Sequence, residues 1–330
     1  MDFALTDEQE LLRDTARALL ARECPTSLLR AHMDDPSVAR PLWEHLREFC
    51  ALGTGSAVDL CLFVEETGYV AAPGPFFATV ALFAPLLDAI GSDLLEKVLA
   101  GEVTGTVAVA GPDGVWRANG DPAKTFVPEV ARVEHVAVVD AGPVVTIVDT
   151  PPARLIETID TTRRLFDVDT SSLRASPATP VDEGALTRVL ERATVALAAE
   201  QVGTCRRLFD MSLAYAKERV QFDRPIGSFQ AVQHKLADMA LDLERAWAAV
   251  YYAAMTLDAD DRERHRATHA AKATAGVAVR RIGKDSVQIH GGIGYTWEHD
   301  LHLFVRRAFA SEAWLGNADW HHDRLAELIT

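Results

Sequence analysis

The chain changes its periodicity twice, and those two changes restrict the folds open to it more than any single motif does. Up to residue 102 the apolar positions step by three and four. Thr6-Asp7-Glu8-Gln9 reads as a capping box, and Leu11, Leu12, Thr15 and Leu19 follow at helical spacing. LWEHLREF and AVDLCLFVEETGYV continue the pattern, Pro-Gly-Pro at 73 to 75 interrupts it, and VALFAPLLDAI resumes it. At Val103 the character changes. VTGTVAVAG, HVAVVD and VVTIVDT are β-branched runs bounded by Gly, Pro and Asp, as short strands are, and RLFDVDTS extends the section towards Pro177 and Pro180. From Val181 the helical spacing returns, with Val232, Leu236, Met239, Leu243, Trp247 and Val250 on one face of a long helix. The expected layout is a helical domain at 1–102, a small β domain at 103–180 and a second helical domain at 181–330.

Composition narrows the functions. A chain of 330 residues that is 48% hydrophobic has material for two or three domains. A net charge of −15 argues against non-specific nucleic-acid or anionic-membrane binding, which needs clustered positive charge. Arg280-Arg281, Arg306-Arg307 and Arg219 with Arg224 are local exceptions suited to a phosphate. The cysteines, Cys24, Cys50, Cys61 and Cys205, show no CxxC spacing and are expected as free buried thiols. The acidic, amphipathic N-terminus does not read as a signal peptide, and no apolar run approaches bilayer length, so a cytoplasmic protein is expected. His299 with His302 and His321 with His322 lack a third ligand at metal spacing, and Trp297 and Trp314 are expected in a core or an interface.

YAKERVQFDRPIGSFQAVQHKLADM and QIHGGIGYTWEHDLHLFVRRA, together with the opening MDFALTDEQELLRDTARALL, resemble the acyl-CoA dehydrogenase family along almost the whole chain. The resemblance implies a mainly α fold with a small middle β domain and a C-terminal four-helix bundle. It also implies FAD, bound between two subunits, and α,β-dehydrogenation of an acyl-CoA thioester. In the family a glutamate removes the α-proton and the β-hydrogen leaves as hydride to the flavin. One subunit holds the isoalloxazine with its β domain, and the neighbour meets the pyrophosphate and adenine.

The neighbour's half is present here. By position in the motifs, Arg219, Gln221 and Phe222 match residues that meet the dinucleotide, flanked by Ile226 and Phe229, and Gln288, Gly291 and Gly292 match the Gln-x-x-Gly-Gly element. Arginine offers a fork of donors, and bare glycine lets a pyrophosphate approach backbone amides. Asp223 departs from the family's glycine; next to a pyrophosphate a carboxylate has to face solvent or pair with Arg224.

The flavin-ring half departs in three places. Lys124-Thr125-Phe126-Val127-Pro128-Glu129 stands where the family has a Lys-Thr-Trp-Ile-Thr-Asn-like strand, and Pro128 brings neither hydroxyl nor N–H. Only GPDGVWRANGDPA replaces the segment that helps hold flavin and CoA. The family's glutamate position is Leu315, and its alternative position, ten residues before Gly203, is Ala193, with Glu191 two residues off. No catalytic residue is therefore assigned.

This pattern implies a shortened, non-catalytic subunit of a heteromeric α2β2 enzyme, similar to the actinobacterial enzymes that shorten steroid side chains as CoA thioesters. A full-length acyl-CoA dehydrogenase partner would carry most of the acyl-CoA site and the glutamate, with FAD shared between the chains. An electron-transfer flavoprotein is the expected acceptor. The face from Val232 to Val250 and the apolar C-terminal segment are candidates for subunit packing. Two alternatives stay open. One is a self-sufficient enzyme using Glu312 or Glu200, which otherwise read as a surface charge and as a buried carboxyl paired with an arginine or a helix end. The other is a non-enzymatic scaffold or acyl-CoA sensor.

Overall fold

A computed structural model describes residues 3–149, 151–171 and 177–329; Met1 and Asp2 of the opening motif lie outside them. Six α-helices come first: α1 (Asp7–Glu23), α2 (Thr26–Asp34), α3 (Arg40–Leu46), α4 (Ala57–Tyr69), α5 (Ala84–Ala89) and α6 (Leu94–Leu99). The capping box opens α1. Thr6 Oγ1 accepts from the Gln9 N–H at 3.3 Å, and the Gln9 amide oxygen accepts from the Thr6 N–H at 3.1 Å. After the Pro-Gly-Pro break, Phe77–Phe83 form a π-helix whose residues are all buried, leading directly into α5.

The strands β1 (Gly105–Ala108), β2 (Ala123–Pro128), β3 (His135–Asp140), β4 (Val144–Asp149), β5 (Ala153–Ile156), β6 (Leu165–Asp169) and β7 (Thr179–Pro180) form two sheets, ordered β1-β3-β4-β7 and β2-β6-β5. β1 and β3 pair in parallel, and the other neighbours pair antiparallel. Ala108, Val127, Val130, Val136, Val138, Phe166 and Val168 fill their shared core. β5 has no counterpart among the sequence expectations. Three of its four residues are exposed, so it carries no inward apolar alternation to read.

α7 (Glu183–Glu218), a short hairpin of β8 (Val220–Gln221) and β9 (Arg224–Pro225), α8 (Gln230–Asp258), α9 (Arg264–His290), α10 (Leu301–Ala313) and α11 (Ala318–Ile329) complete the chain. By contact the residues fall into two units. One contains 1–29, 61–72 and 195–330, the other 30–60 and 73–194.

In the first unit the end of α4 crosses α7 at two glycines. A methyl on Gly68 would lie 2.1 Å from the Glu200 carbonyl oxygen, and one on Gly203 would lie 1.8 Å from that of Glu65. Only glycine permits this approach. Arg206 then ties Glu65 at 3.0 Å and Glu66 at 2.8 Å. α8 packs along α9. Leu236, Met239 and Val250 are buried in this unit, and Trp247 stacks on Tyr251 at 5.0 Å. Leu236, Met239 and Val250 of the Val232-to-Val250 face are thus buried within the chain, while Val232, Leu243 and Trp247 remain half-buried. The cysteines are buried free thiols. Among the described residues no helix is long and apolar enough to cross a membrane, and no group of three metal-ligating side chains forms.

Candidate functional site

The first unit brings the two C-terminal motifs together at one end. α7 ends just before the hairpin and α9 ends at the glycine pair. Their last turns meet where Tyr215 stacks on His290, with ring centroids 4.5 Å apart, and His299 closes the cluster edge-on at 4.8 Å from His290. The His290 Nδ1–H donates to the Ser286 carbonyl at 2.8 Å, and burial pushes its pKa down, so a neutral ring packs under the site.

On this floor the motif residues are open. Arg219 and Gln288 are exposed, and neither side chain has a hydrogen bond or ion pair among the described residues. Gly291 turns the chain out of α9 at φ +63°, and a Cβ on either Gly291 or Gly292 would meet nothing within 4 Å. The hairpin turns through Phe222 and Asp223, at φ 53° and 61°, the pair of left-handed residues of a type I′ turn. Phe222 is 86% exposed and meets Phe229 edge-on at 6.1 Å. Arg224 lies over the Phe229 ring at 4.1 Å instead of pairing with Asp223, which faces solvent. Gln221 is exposed and its amide donates to the Val220 carbonyl at 2.9 Å; Ile226 is half-buried and its N–H donates to the Arg219 carbonyl at 2.8 Å. Free guanidinium and amide donors beside a bare, accessible backbone fit a dinucleotide pyrophosphate.

The stretch expected to face a flavin ring does not fit one. Lys124 is fully buried, donating to the Asn119 carbonyl at 2.9 Å and its Oδ1 at 3.0 Å, and pairing with Asp140 at 3.2 Å. Thr125 donates to Asp167 at 2.7 Å. The register of β2 against β6 slips between Lys124 and Val127. There Phe126 takes φ 55° and leans on Gly114, whose added Cβ would be 3.3 Å from its ring. Pro128 closes the strand opposite Leu165, buried. Glu129 follows at φ 58°, accepting from the Arg164 N–H at 2.9 Å and pairing with Arg132 at 3.4 Å. Every polar side chain here has a partner within the chain.

Leu315, at the family's glutamate position, is buried with φ 58°, between Trp314, also buried, and Gly316 at φ 90°. The connection from α10 to α11 that carries it is tied to α9 by a network sequence spacing did not reveal, since its members lie 40 to 52 residues apart. Lys272, fully buried, donates to the Glu312 carbonyl at 2.9 Å and the Gly316 carbonyl at 2.8 Å. Burial pulls its pKa down to about 7, against the opposing pull of the Glu312 carboxylate. The His321 Nε2–H donates to the Leu315 carbonyl at 3.0 Å, which leaves Nδ1 to accept from the His269 Nδ1–H at 2.7 Å. Burial brings His269 to about 4 and His321 to about 3, and Lys272 pushes His321 down further.

Neither alternative carboxylate is free to act as a base. Glu312 was expected at the surface and is 8% exposed; Arg280 holds it at 2.8 Å, and it accepts from the Ala318 N–H at 2.9 Å, capping α11. Glu200 is buried, 3.7 Å from Arg307, as an arginine-paired carboxyl. Ala193 is fully buried and Glu191 nearly so. The other two arginine clusters, Arg280-Arg281 and Arg306-Arg307, are engaged within the chain. Arg307 is buried and donates to the Ala71 and Ala72 carbonyls, while Arg280 and Arg281 pair with acids. Trp314 is core, and Trp297 stays 55% exposed beneath Arg306.

Comparison with known proteins shows the family and the fold. The profile of the acyl-CoA dehydrogenase C-terminal domain matches residues 184–330. Acyl-CoA dehydrogenase IpdE2 of Mycolicibacterium smegmatis is 34% identical, the match covering 94% of this chain and 96% of that one. Acyl-CoA dehydrogenase FadE34 of Mycobacterium tuberculosis is 32% identical over 96% of this chain, which accounts for only 47% of FadE34. The Tcur3481–Tcur3483 steroid acyl-CoA dehydrogenase superposes with a TM-score of 0.85 at 26% identity, covering 98% of each chain. Matched to IpdE2 along nearly its entire length, and with the helical–β–helical architecture in place, this chain belongs to the acyl-CoA dehydrogenase family.

Proposed function

We propose that this chain is the non-catalytic subunit of a heteromeric FAD-dependent acyl-CoA dehydrogenase, giving the trans half of the FAD site to a full-length partner. The observation that carries the reading is an asymmetry within one polypeptide. Arg219 and Gln288 stand free beside bare glycines, whereas the β2 stretch is committed internally and leucine occupies the glutamate position. A scaffold would have no use for unpaired donors set around an open backbone. A self-sufficient enzyme would need a base, and both candidate carboxylates are held by arginines.

Bound FAD supplies the hydride acceptor. In this reading Arg219 and Gln288 donate to the pyrophosphate, Gly291 and Gly292 give it access to backbone N–H groups, and Phe222, Ile226 and Phe229 pack beside it. Both phosphates would meet donors that no internal acceptor competes for. The partner supplies the isoalloxazine contacts, most of the acyl-CoA site and the glutamate. An α2β2 assembly follows from the split site, because half a clamp works only against another subunit. The likeness to a two-chain steroid enzyme supports a steroid side-chain thioester as substrate, and the double length of FadE34 fits a second half covalently joined to a segment like this one. Electrons would pass to an electron-transfer flavoprotein.

Co-expression with a full-length acyl-CoA dehydrogenase chain tests this. The expected result is one flavin per heterodimer, with a colourless product when this chain is made alone. Full flavin occupancy and turnover by the lone chain would overturn the reading.

A further inference from the structure

Among the described residues Arg306 meets no carboxylate, although the chain holds 48 acidic residues against 33 lysines and arginines. Glu298, the residue after Trp297, is exposed and leaves it unpaired. The Arg306 guanidinium lies instead 4.1 Å from the centre of the Trp297 ring. His302, one turn earlier on α10 and buried, meets the same ring edge-on at 4.7 Å. Two residues four apart on one helix face thus hold the indole, yet it keeps 55% of its surface in water. Tyr295, two residues before it, is 82% exposed.

An exposed cation–π contact adds little to folding, and an indole left in water forgoes much of the gain from burial. Anchors of protein interfaces have this form: a large ring with few rotors, fixed before contact, beside an arginine. Position favours one occupant. The segment 291–300 begins at the glycine pair, and His299 within it packs on His290 beneath the clamp. Whatever presents a flavin to Arg219 and Gln288 comes up against this segment. A second copy of this chain has no flavin-ring site to present, because its β2 stretch is committed internally. We infer that Trp297 and Arg306 form the anchor on which the catalytic partner subunit docks: the indole enters an apolar pocket of that subunit, and the guanidinium meets a carboxylate on the pocket's rim. The inference rests on the heteromeric reading and extends it from the cofactor to the contact between the two proteins.

The heteromer formed with the co-expressed full-length acyl-CoA dehydrogenase chain, saturated with FAD, tests this by dilution in the analytical ultracentrifuge. Trp297→Ala is expected to weaken subunit association about thirtyfold or more, as loss of an interface anchor does. Arg306→Glu is expected to weaken it at least about tenfold, less so at high salt, with Arg306→Lys recovering part of the affinity. Thermal melting of the lone chain should be nearly the same for wild type and both disruptive variants. Association unchanged in both variants, or weakened only in step with a loss of lone-chain stability, would overturn the inference and leave the heteromer standing. Variants that instead dissolve a dimer of this chain alone would assign the face to a second copy and overturn the inference. A wild-type chain that does not associate with the full-length chain would overturn the heteromeric reading and the inference with it.

Discussion

Replacing Lys272 by methionine tests whether the connection that carries Leu315 is locked as described. Methionine keeps most of the stem volume and removes the amine, leaving the Glu312 and Gly316 carbonyls without their donor. Each buried carbonyl so orphaned costs about 1–3 kcal/mol, so the variant should lose about 2–6 kcal/mol. A neutral amine has two N–H bonds and the structure offers it two carbonyls, consistent with a pKa near 7. The sign of the pH effect follows. Between about 7 and 10.5 the unfolded chain holds a proton on this lysine that the folded chain has given up, so stability rises with pH across that window. The slope is at most about 1.4 kcal/mol per pH unit, and Lys272→Met lacks it. Urea unfolding of both proteins at pH 7, 8 and 9 should show the gap between them widening with pH. A gap that stays constant or narrows would mean the ammonium form is kept in the folded state, and the argument from burial would be wrong.

Other substitutions separate folding from binding. Arg219→Ala removes an exposed, unpaired side chain, so its thermal stability should stay within about 0.5 kcal/mol of wild type. FAD retained by the co-purified complex should nevertheless fall at least about tenfold, with the loss of charge-assisted hydrogen bonds worth about 1.5–3 kcal/mol each. Gly203→Ala should unfold the chain or cost more than about 3 kcal/mol by circular dichroism, because its methyl meets the Glu65 carbonyl oxygen at 1.8 Å. Gly292→Ala, with open space around its Cβ, should fold normally and lose flavin. His269 and His321 have folded pKa values below the ordinary 6.5, near 4 and 3, so their share of stability is lost as pH falls from about 6.5 towards 4. Melting curves between pH 7 and 4 should show a shallower acid decline in His321→Gln than in wild type.

The helical–β–helical order was legible because hydrophobic spacing reports burial. The Thr6–Gln9 box and the strands from Val107, Val136 and Val145 are where the residues placed them. The type I′ turn at Phe222–Asp223 was not, since phenylalanine at its first position gives no warning of a left-handed residue even though aspartate suits the second. Glu312 was misjudged for a related reason. Its buried cap on α11 depends on Arg280, 32 residues earlier in the chain, and no local pattern encodes that meeting. The Val232–Val250 stripe showed the converse. Periodicity identified an apolar face correctly but could not say whether its partner was another subunit or α9 of the same chain.

Phe222, Tyr295 and Trp297 stand in water at 86%, 82% and 55% exposure near the ends of α7 and α9. Such rings make a surface adhesive as well as receptive. Under the proposed heteromeric reading, the polypeptide produced alone should self-associate at modest concentration, with turbidity as its first visible symptom. Handling behaviour thus becomes an inexpensive test of a candidate companion chain: one that covers these rings should clear the solution.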